Sequence, residues 1–133
     1  MGLDERIGSR FLRAGPAYGG SCFPKDTRAL VSTARVFNTN LSVVKSVINS
    51  NDKRTNLLLN KISKIMNNKI KNKNITFLGV TFKPGTDDMR ESASLKMIPA
   101  LSRKGAYINY YEPTGKKKEL SLIHIWRCRR LSG

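Results

Sequence analysis

The residues best suited to chemistry lie in one glycine-rich segment, GPAYGGSCFPKD, at residues 15–26. Cys22 follows two glycines and stands at the predicted start of a helix, with Pro24 in the first turn. The unpaired N–H groups and the positive dipole end at such a position favour a thiolate, and Lys25 adds a positive charge. This pattern is typical of a nucleophilic cysteine. The alternative is a buried, inert cysteine that caps the helix.

A carboxylate accompanies the cysteine. Asp26 lies four residues after Cys22 and therefore faces the same side of the predicted helix. A carboxylate at this position could handle a proton or a water molecule next to the sulfur. The alternative is that Asp26 only interacts favourably with the helix dipole.

The composition indicates a soluble globular protein, with 39% hydrophobic and 26% charged residues among 133. No apolar run approaches the roughly 20 residues needed to cross a bilayer, and no signal-peptide pattern is present, so we predict a cytoplasmic protein without a membrane partner. The net charge of +16 would suit nucleic-acid binding. However, the basic residues are spread among asparagines without interleaved aromatics, so we predict no nucleic-acid partner and keep binding through charge as an alternative.

The elements that must position the cysteine follow from hydrophobic periodicity. It predicts helices over residues 23–37, 41–67 and 92–104 and strands over residues 75–80 and 106–113. Along the first helix, Leu30, Thr33, Ala34 and Phe37 repeat at helical spacing and predict its inward face. The long second helix, roughly 40 Å at about 1.5 Å per residue, suits a spine between domains or a dimer contact. Residues 75–80 are typical of a buried parallel strand, and Gly105 suits the end of the third helix.

The order strand, helix, strand predicts a βαβ unit, which is the opening of a doubly wound sheet. One such unit cannot cover both faces of a sheet. The sequence therefore predicts the α/β class, with a long and mainly helical spine followed by a truncated Rossmann-like βαβ unit.

Two long motifs resemble one family. GLDERIG (residues 2–8), FL (residues 11–12) and AGPAYGGSCFPKD (residues 14–26) resemble the central signature of the UDP-glucose/GDP-mannose dehydrogenases. FLGVTFKPGTDDMRESASL (residues 77–95) resembles the start of the C-terminal domain of that family. GDP-mannose dehydrogenases share GGSC and PKD, whereas the wording YGGSCFPKDT favours the UDP-glucose 6-dehydrogenases.

The resemblance implies an enzyme that oxidises UDP-glucose to UDP-glucuronate by two hydride transfers to NAD. It implies that Cys22 captures the aldehyde as a thiohemiacetal, which is oxidised to a thioester and hydrolysed with help from Asp26. The implied NAD contacts are Cys22, Lys25 and Arg90. The implied UDP-sugar contacts are Arg6, which reaches across a dimer interface, and Phe11, Arg13, Tyr18, Gly19, Phe82 and Lys83.

The resemblance also implies a homodimer through the long helix and no metal. Three acids in the segment TDDMRES (residues 86–92) could suggest a metal site. We predict instead a solvated loop in which Arg90 pairs locally. A non-catalytic dimerisation remnant of the family is an alternative to an enzyme.

We predict three regions: a central helical dimerisation domain with the cysteine at residues 1–73, a partial UDP-binding domain at residues 74–119, and a tail at residues 120–133. The tail segment LSLIHIWRCRR resembles the translation of a transposase adapter from DNA library preparation, with TGA read as Trp126. His124 and Cys128 lie in this tail. We therefore treat it as an artefact of DNA library preparation and exclude it from the predicted fold.

The sequence departs from the family pattern at two points. No G-x-G-x-x-G fingerprint follows a strand, so we expect an internal fragment that lacks the N-terminal NAD-binding domain and is inactive by itself. Ala17 stands where the family usually has glycine, and it would be strained if its φ angle were positive.

Overall fold

The structure is a computed structural model that describes residues 1–9, 12 and 15–114 and the backbone of residues 128–130. Its elements are α1 (Phe23–Val36), α2 (Ser42–Ile65), β1 (Asn74–Leu78), α3 (Ala93–Arg103), β2 (Tyr107–Tyr111) and β3 (Cys128–Arg130). All five predicted elements are present, with ends displaced by one or two residues. The predicted α/β class, a helical spine followed by a truncated Rossmann-like unit, is confirmed.

The third strand was not predicted, because its residues were assigned to the tail. The rest of that tail lies outside the described residues, so its predicted origin stays a prediction, as do the three region boundaries. Within the described ranges, no helix is both long enough and apolar enough to cross a membrane.

The sheet is parallel throughout, with the order β1-β2-β3. Ile75 pairs with Ile108, and Phe77 pairs with Tyr110, so large apolar side chains share the face of the sheet that joins the core. The opposite face is open, and Leu78 is 82% exposed. The prediction of a buried strand over residues 75–80 is therefore correct for one face only, because none of the described residues forms a second layer over the other face.

The core lies between α3, the sheet and the second half of α2. Its buried members are Ile70, Val80, Met89, Ile98, Leu101, Ala106, Ile108 and Tyr110. Leu59, Ile62 and Met66 of α2 and the turn after it pack against this cluster while partly buried. The long helix therefore supports the βαβ unit with one end, as a spine between two parts of the chain should.

The first helix contacts α2 along a narrow stripe. Val31 and Ala34 are buried, whereas Leu30 is 52% and Phe37 is 73% exposed. The predicted face of α1 is therefore right at Ala34 and wrong at Leu30, Thr33 and Phe37, which are all exposed. One neighbouring helix is too narrow to cover the whole face.

The start and the end of α3 are both defined by specific contacts. Ser92 Oγ accepts from Ser94 N and donates to Val80 O (2.7 Å), so the cap of α3 is bonded to the chain just after β1. At the other end, Gly105 has a φ of +84°, as predicted for a glycine that ends a helix. These contacts fix α3 against the loop that leaves β1.

A single buried carboxylate holds that loop. Glu112 is 5% exposed, and its Oε2 accepts hydrogen bonds from Val80 N (2.9 Å) and Thr81 N (3.3 Å). Its Oε1 accepts from Thr114 N (3.1 Å) and Thr114 Oγ1 (2.9 Å). Burial by itself raises the pKa of Glu112, but these hydrogen bonds outweigh it and lower the pKa to about 2. Glu112 is therefore ionised at neutral pH and ties the end of β1 to the end of β2.

The core position of Ile98 predicts a large effect on stability. Ile98 is 0% exposed, so Ile98→Ala should lower the free energy of unfolding by about 2–5 kcal/mol, the range for such truncations in a packed core. Val43→Ala, at a position of α2 that is 73% exposed, should change it by less than about 0.5 kcal/mol. Urea unfolding followed by circular dichroism measures both. Equal effects of the two substitutions would contradict the assigned core.

The carboxylate of Glu112 predicts a pH-dependent effect. Glu112→Gln should lower the free energy of unfolding at pH 7 by about 2 kcal/mol, because hydrogen bonds to a charged group contribute roughly 1.5–3 kcal/mol. The pKa of Glu112 is lowered on folding, so its contribution is present above the ordinary value of 4.5 and is lost as the pH falls towards about 2. Urea unfolding at neutral and acidic pH should show the gap between variant and wild type shrinking in acid.

The exposed Glu5 provides the matched control for this substitution. Glu5→Gln should leave stability nearly unchanged at both pH values. A gap for Glu112→Gln that stays constant with pH would show that the carboxylate charge is not what holds the loop.

Candidate functional site

Cys22 lies at the N-cap of α1, at the end of an irregular segment that we call the cysteine loop (residues 15–21). Its side chain is exposed and makes no capping hydrogen bond, while its carbonyl accepts the helical bond from Asp26 N (2.8 Å). Cys22 Sγ lies 3.6 Å from Ser21 Oγ. The alternative of a buried, capping cysteine is therefore wrong, and the thiol is accessible to a reagent or a substrate.

The cysteine loop is joined directly to the loop that leaves β1. Gly20 N donates to Arg90 O (2.8 Å), and Gly20 has a φ of +85°. A Cβ on Gly20 would lie 2.9 Å from the ring of Phe82, and one on Gly19 would collide with Glu91 O. Both positions therefore require glycine because the second loop lies too close for a Cβ atom. Gly20 is also required by its positive φ angle. We call this contact the glycine seam.

The strain considered for Ala17 is absent, because the φ angle of Ala17 is not positive. The loop therefore accommodates alanine where a glycine was expected. Its demanding positions are Gly19 and Gly20 instead. The sequence motifs indicated both segments of the seam separately, but nothing in the sequence indicated that they touch.

Part of the predicted UDP-sugar site is assembled beside the seam. A cleft of about 230 Å³ is lined by Gly19, Phe82 and Lys83, together with the first residues of α3. Lys83 Nζ lies 5.2 Å from the centre of the Phe82 ring. An ammonium group beside a helix N-terminus is an arrangement that attracts phosphate groups.

Tyr18 lies on the other side of the cysteine loop. It lines a second cleft of about 560 Å³, between the loop and α2, and its ring contacts that of Phe23 edge to face with centroids 4.9 Å apart. Ala17 lines both clefts, so the cysteine loop borders each of them. The structure therefore brings Gly19, Phe82 and Lys83 together and places Tyr18 across the loop from them.

The predicted catalytic and cofactor-binding groups of α1 are exposed. Lys25 Nζ lies 3.8 Å from Asp26 Oδ1, with the two side chains 76% and 65% exposed. Neither residue lines the clefts described above, and neither does Cys22. Their arrangement at the first turn of α1 fits both the proton-handling and the helix-dipole interpretations of Asp26, so its role stays a prediction.

Two of the three predicted arginines, Arg90 and Arg6, are each held by a nearby aspartate. Arg90 Nη2 lies 2.8 Å and its Nε 3.0 Å from the carboxylate of Asp88, which is the local pairing that the sequence suggested. Arg6 binds Asp4 in the same way, at 2.7 and 3.0 Å, and this contact lowers the pKa of Asp4. Two further predicted contacts with the UDP-sugar, Phe11 and Arg13, lie outside the described residues.

Glu91, the acid next to Arg90, has two cationic partners. Glu91 lies 3.9 Å from Arg28 of α1 and 3.6 Å from Lys96 of α3. In the part of the chain that the structure describes, no three acidic, histidine or cysteine side chains converge as a metal site would require.

Comparison with known proteins gives two family matches and several relatives. The model of the central domain of the UDP-glucose/GDP-mannose dehydrogenase family matches residues 1–53, and that of its UDP binding domain matches residues 76–131. A UDP-glucose 6-dehydrogenase from Rhizobium meliloti is 45% identical over 130 residues, which are 98% of this chain and 30% of that protein.

Solved structures agree with these matches. A UDP-glucose dehydrogenase from Pyrobaculum islandicum superposes with a TM-score of 0.86 at 28% identity, over 99% of this chain and 30% of the other. A GDP-mannose dehydrogenase from Pseudomonas aeruginosa superposes with a TM-score of 0.75 at 27% identity, over 96% of this chain and 31% of the other. The chain thus spans about 30% of the length of these relatives.

The two family matches lie in the order and at the spacing that the two motifs predict, and they meet in the structure at the glycine seam. The chain therefore belongs to the UDP-glucose/GDP-mannose dehydrogenase family.

Proposed function

We propose that this chain supplies the cysteine and the UDP-sugar side of an NAD-dependent enzyme that oxidises UDP-glucose to UDP-glucuronate. One observation carries the proposal. The exposed thiol of Cys22 starts a helix, directly after a loop that packs against Phe82 of the UDP-binding motif. The relative from Rhizobium meliloti, which is named a UDP-glucose 6-dehydrogenase, favours this substrate.

The cleft at the glycine seam would take the UDP-sugar. The ammonium group of Lys83 and the N–H groups at the start of α3 would bind the diphosphate, since both bear positive charge. The ring of Phe82 would contact an apolar face of the ligand. Tyr18 would contribute from the opposite side of the cysteine loop.

In the proposed assembly, the remaining sugar contacts come from Phe11, from Arg13 and, across a homodimer formed through α2, from Arg6. The isolated chain keeps Arg6 paired with Asp4. Both side chains of that pair can move at little cost, because ion pairs of exposed groups contribute at most about 1 kcal/mol.

In the proposed reaction, the primary alcohol of UDP-glucose first loses a hydride and its hydroxyl proton to give the aldehyde. The Cys22 thiolate then adds to the carbonyl carbon, and the oxygen takes up a proton to form a thiohemiacetal. Loss of a hydride from that carbon, and of the hydroxyl proton, leaves a thioester on the sulfur. Water then attacks the thioester, releasing the carboxylate and returning the thiol. Asp26, at the same turn of α1, would accept a proton from the attacking water.

NAD, when bound, would accept the hydrides. Lys25 and the exposed guanidinium of Arg90 fit cationic contacts with such a dinucleotide, and Cys22 would lie beside its reactive end. The sequence contains no G-x-G-x-x-G turn to hold the pyrophosphate, so these residues fit the edge of an NAD site rather than the whole of it. We therefore propose that turnover requires the NAD-binding domain of a complete enzyme.

A hybrid enzyme tests the role of Cys22. In the Rhizobium meliloti relative, the matching 130 residues are replaced by those of this chain. We expect NADH formation that depends on UDP-glucose, and we expect Cys22→Ser to lower kcat by about a thousandfold or more, since loss of a nucleophile removes the covalent route. The dissociation constant for UDP-glucose, measured by calorimetry, should change by less than about threefold, because only the sulfur atom is replaced.

The second cysteine of the chain provides the matched control for the hybrid. Cys128→Ser should leave turnover unchanged. Full steady-state turnover of the Cys22→Ser hybrid would rule out the nucleophile assignment. A hybrid that binds UDP-glucose and turns over in neither form would favour the non-catalytic alternative.

The same hybrid separates the two nucleotide sugars. The GDP-mannose 6-dehydrogenase reaction is the alternative within the family. One of the similar structures, from Pseudomonas aeruginosa, is a GDP-mannose dehydrogenase. We expect kcat/KM to be higher for UDP-glucose than for GDP-mannose by at least about a hundredfold, because a nucleotide site that hydrogen-bonds one base leaves polar groups unpaired with the other. The reverse preference would assign the chain to the alternative.

A further inference from the structure

The cysteine loop contains no helix or strand, so its course depends on contacts with other elements. Two hydrogen bonds, one at Pro16 and one at Gly20, attach it to the rest of the chain. Pro16 O accepts a hydrogen bond from Arg54 Nε of α2 (3.2 Å), and Gly20 N donates to Arg90 O (2.8 Å). Tyr18 lies midway between these attachments.

The side chain of Asn51 holds Tyr18 through two hydrogen bonds. Asn51 Oδ1 accepts from Tyr18 N (2.9 Å), and Asn51 Nδ2 donates to Tyr18 O (3.1 Å). A carboxamide carries an acceptor and a donor side by side, so it pairs with both backbone groups of one residue as a neighbouring strand would. An aspartate could keep only the first of these bonds, and an alanine neither.

Asn51 belongs to a regular helix that is itself packed against the rest of the chain. Asn51 lies in the interior of α2, a helix of 24 residues whose far end packs on the core. The next residue, Asp52, lies 3.6 Å from Arg28 of α1. The same turn of α2 therefore contacts the chain on both sides of Cys22: the loop before it and the helix after it.

We propose that Asn51 is a positioning residue that holds the cysteine loop through Tyr18 and thereby sets where Cys22 and Tyr18 meet the nucleotide sugar. The proposal rests on the proposed function for its catalytic meaning. Asn51 itself lines the cleft beside Tyr18, on the α2 side of the loop, and acts on Cys22 only through the backbone between them.

The position allows the role to be separated from folding. Alanine is the best helix former, so Asn51→Ala keeps α2 intact while removing both bonds to Tyr18. Asn51→Asp provides an intermediate variant, because it keeps one acceptor and replaces the donor by an oxygen that repels Tyr18 O. Asn56→Ala, at an exposed position of the same helix, is the matched control.

Residue-resolved amide hydrogen exchange of the 133-residue chain tests the proposal. In Asn51→Ala, exchange at Tyr18 should accelerate by about tenfold, the effect expected from losing hydrogen bonds of ordinary net strength. Gly20 should accelerate as well, although its own bond to Arg90 is untouched, because the loop is held as a unit. Exchange at Ile98 in the core should not change. In Asn51→Asp, the exchange rate at Tyr18 should lie between those of the wild type and Asn51→Ala.

Alkylation of the thiol by iodoacetamide, mapped by mass spectrometry with Cys128 as the reference in the same molecule, gives the second measurement. The alkylation rate of Cys22 in Asn51→Ala should change by about threefold or more, because a loosened loop lets the first turn of α1 fray and alters the surroundings of the exposed thiol. Asn56→Ala should match the wild type in both measurements.

Unchanged exchange at Tyr18 in Asn51→Ala would overturn the proposal. So would faster exchange at Tyr18 with Gly20 exchange and Cys22 alkylation both unchanged, since the contact would then be local and would position nothing. Neither measurement involves a nucleotide sugar or turnover. Failure of the proposed function would instead appear as a wild-type hybrid without activity, which is a separate result.

Discussion

The arrangement of this site depends on two residues that have no side chain. At the glycine seam, the backbone of the cysteine loop lies directly against Phe82 and the carbonyl groups of Arg90 and Glu91. A methyl group at either glycine would separate the two loops, because interiors packed at this density have no room for extra atoms. This contact brings the thiol, the cleft and the second motif together, and the ion pair of Arg28 with Glu91 adds to it.

The seam joins the surface that carries the exposed thiol to a rigid support. On the support side, Glu112 and Ser92 bind the backbone at and just after the end of β1, so the loop that carries Phe82 starts from a fixed point. On the other side, the cysteine loop contains no helix or strand, and hydrogen bonds from Asn51 and Arg54 of α2 hold it. Functional groups on loops that a scaffold holds in this way are common in enzymes, because the scaffold supplies precision and the loop supplies access.

Much of the fold could be predicted from the sequence, because periodicity and glycine positions are local signals. The five elements and Gly105 followed from them, and the two motifs indicated Cys22 and the family. What could not be predicted depends on contacts between distant segments. The exposure of Leu30 and Phe37 reflects how little of α1 one helix can cover, and the hydrogen bonds from Asn51 to Tyr18 have no signature in either segment alone. The predicted roles of Asp26, Lys25 and Arg6 concern groups that act on ligands, and a single chain does not test them.

The glycine seam also has an evolutionary consequence. A substitution at Gly20 would need a smaller ring opposite it and would still strain the backbone at its φ of +85°, and a larger ring at position 82 would need the loop to move away. The two motifs are therefore constrained to change together in descendants of this sequence, although a long helix separates them along the chain. Recombination that exchanged only one of the two motifs between distant relatives would join loops whose contact residues no longer match. Selection would therefore favour exchange of the whole segment from the cysteine loop to α3.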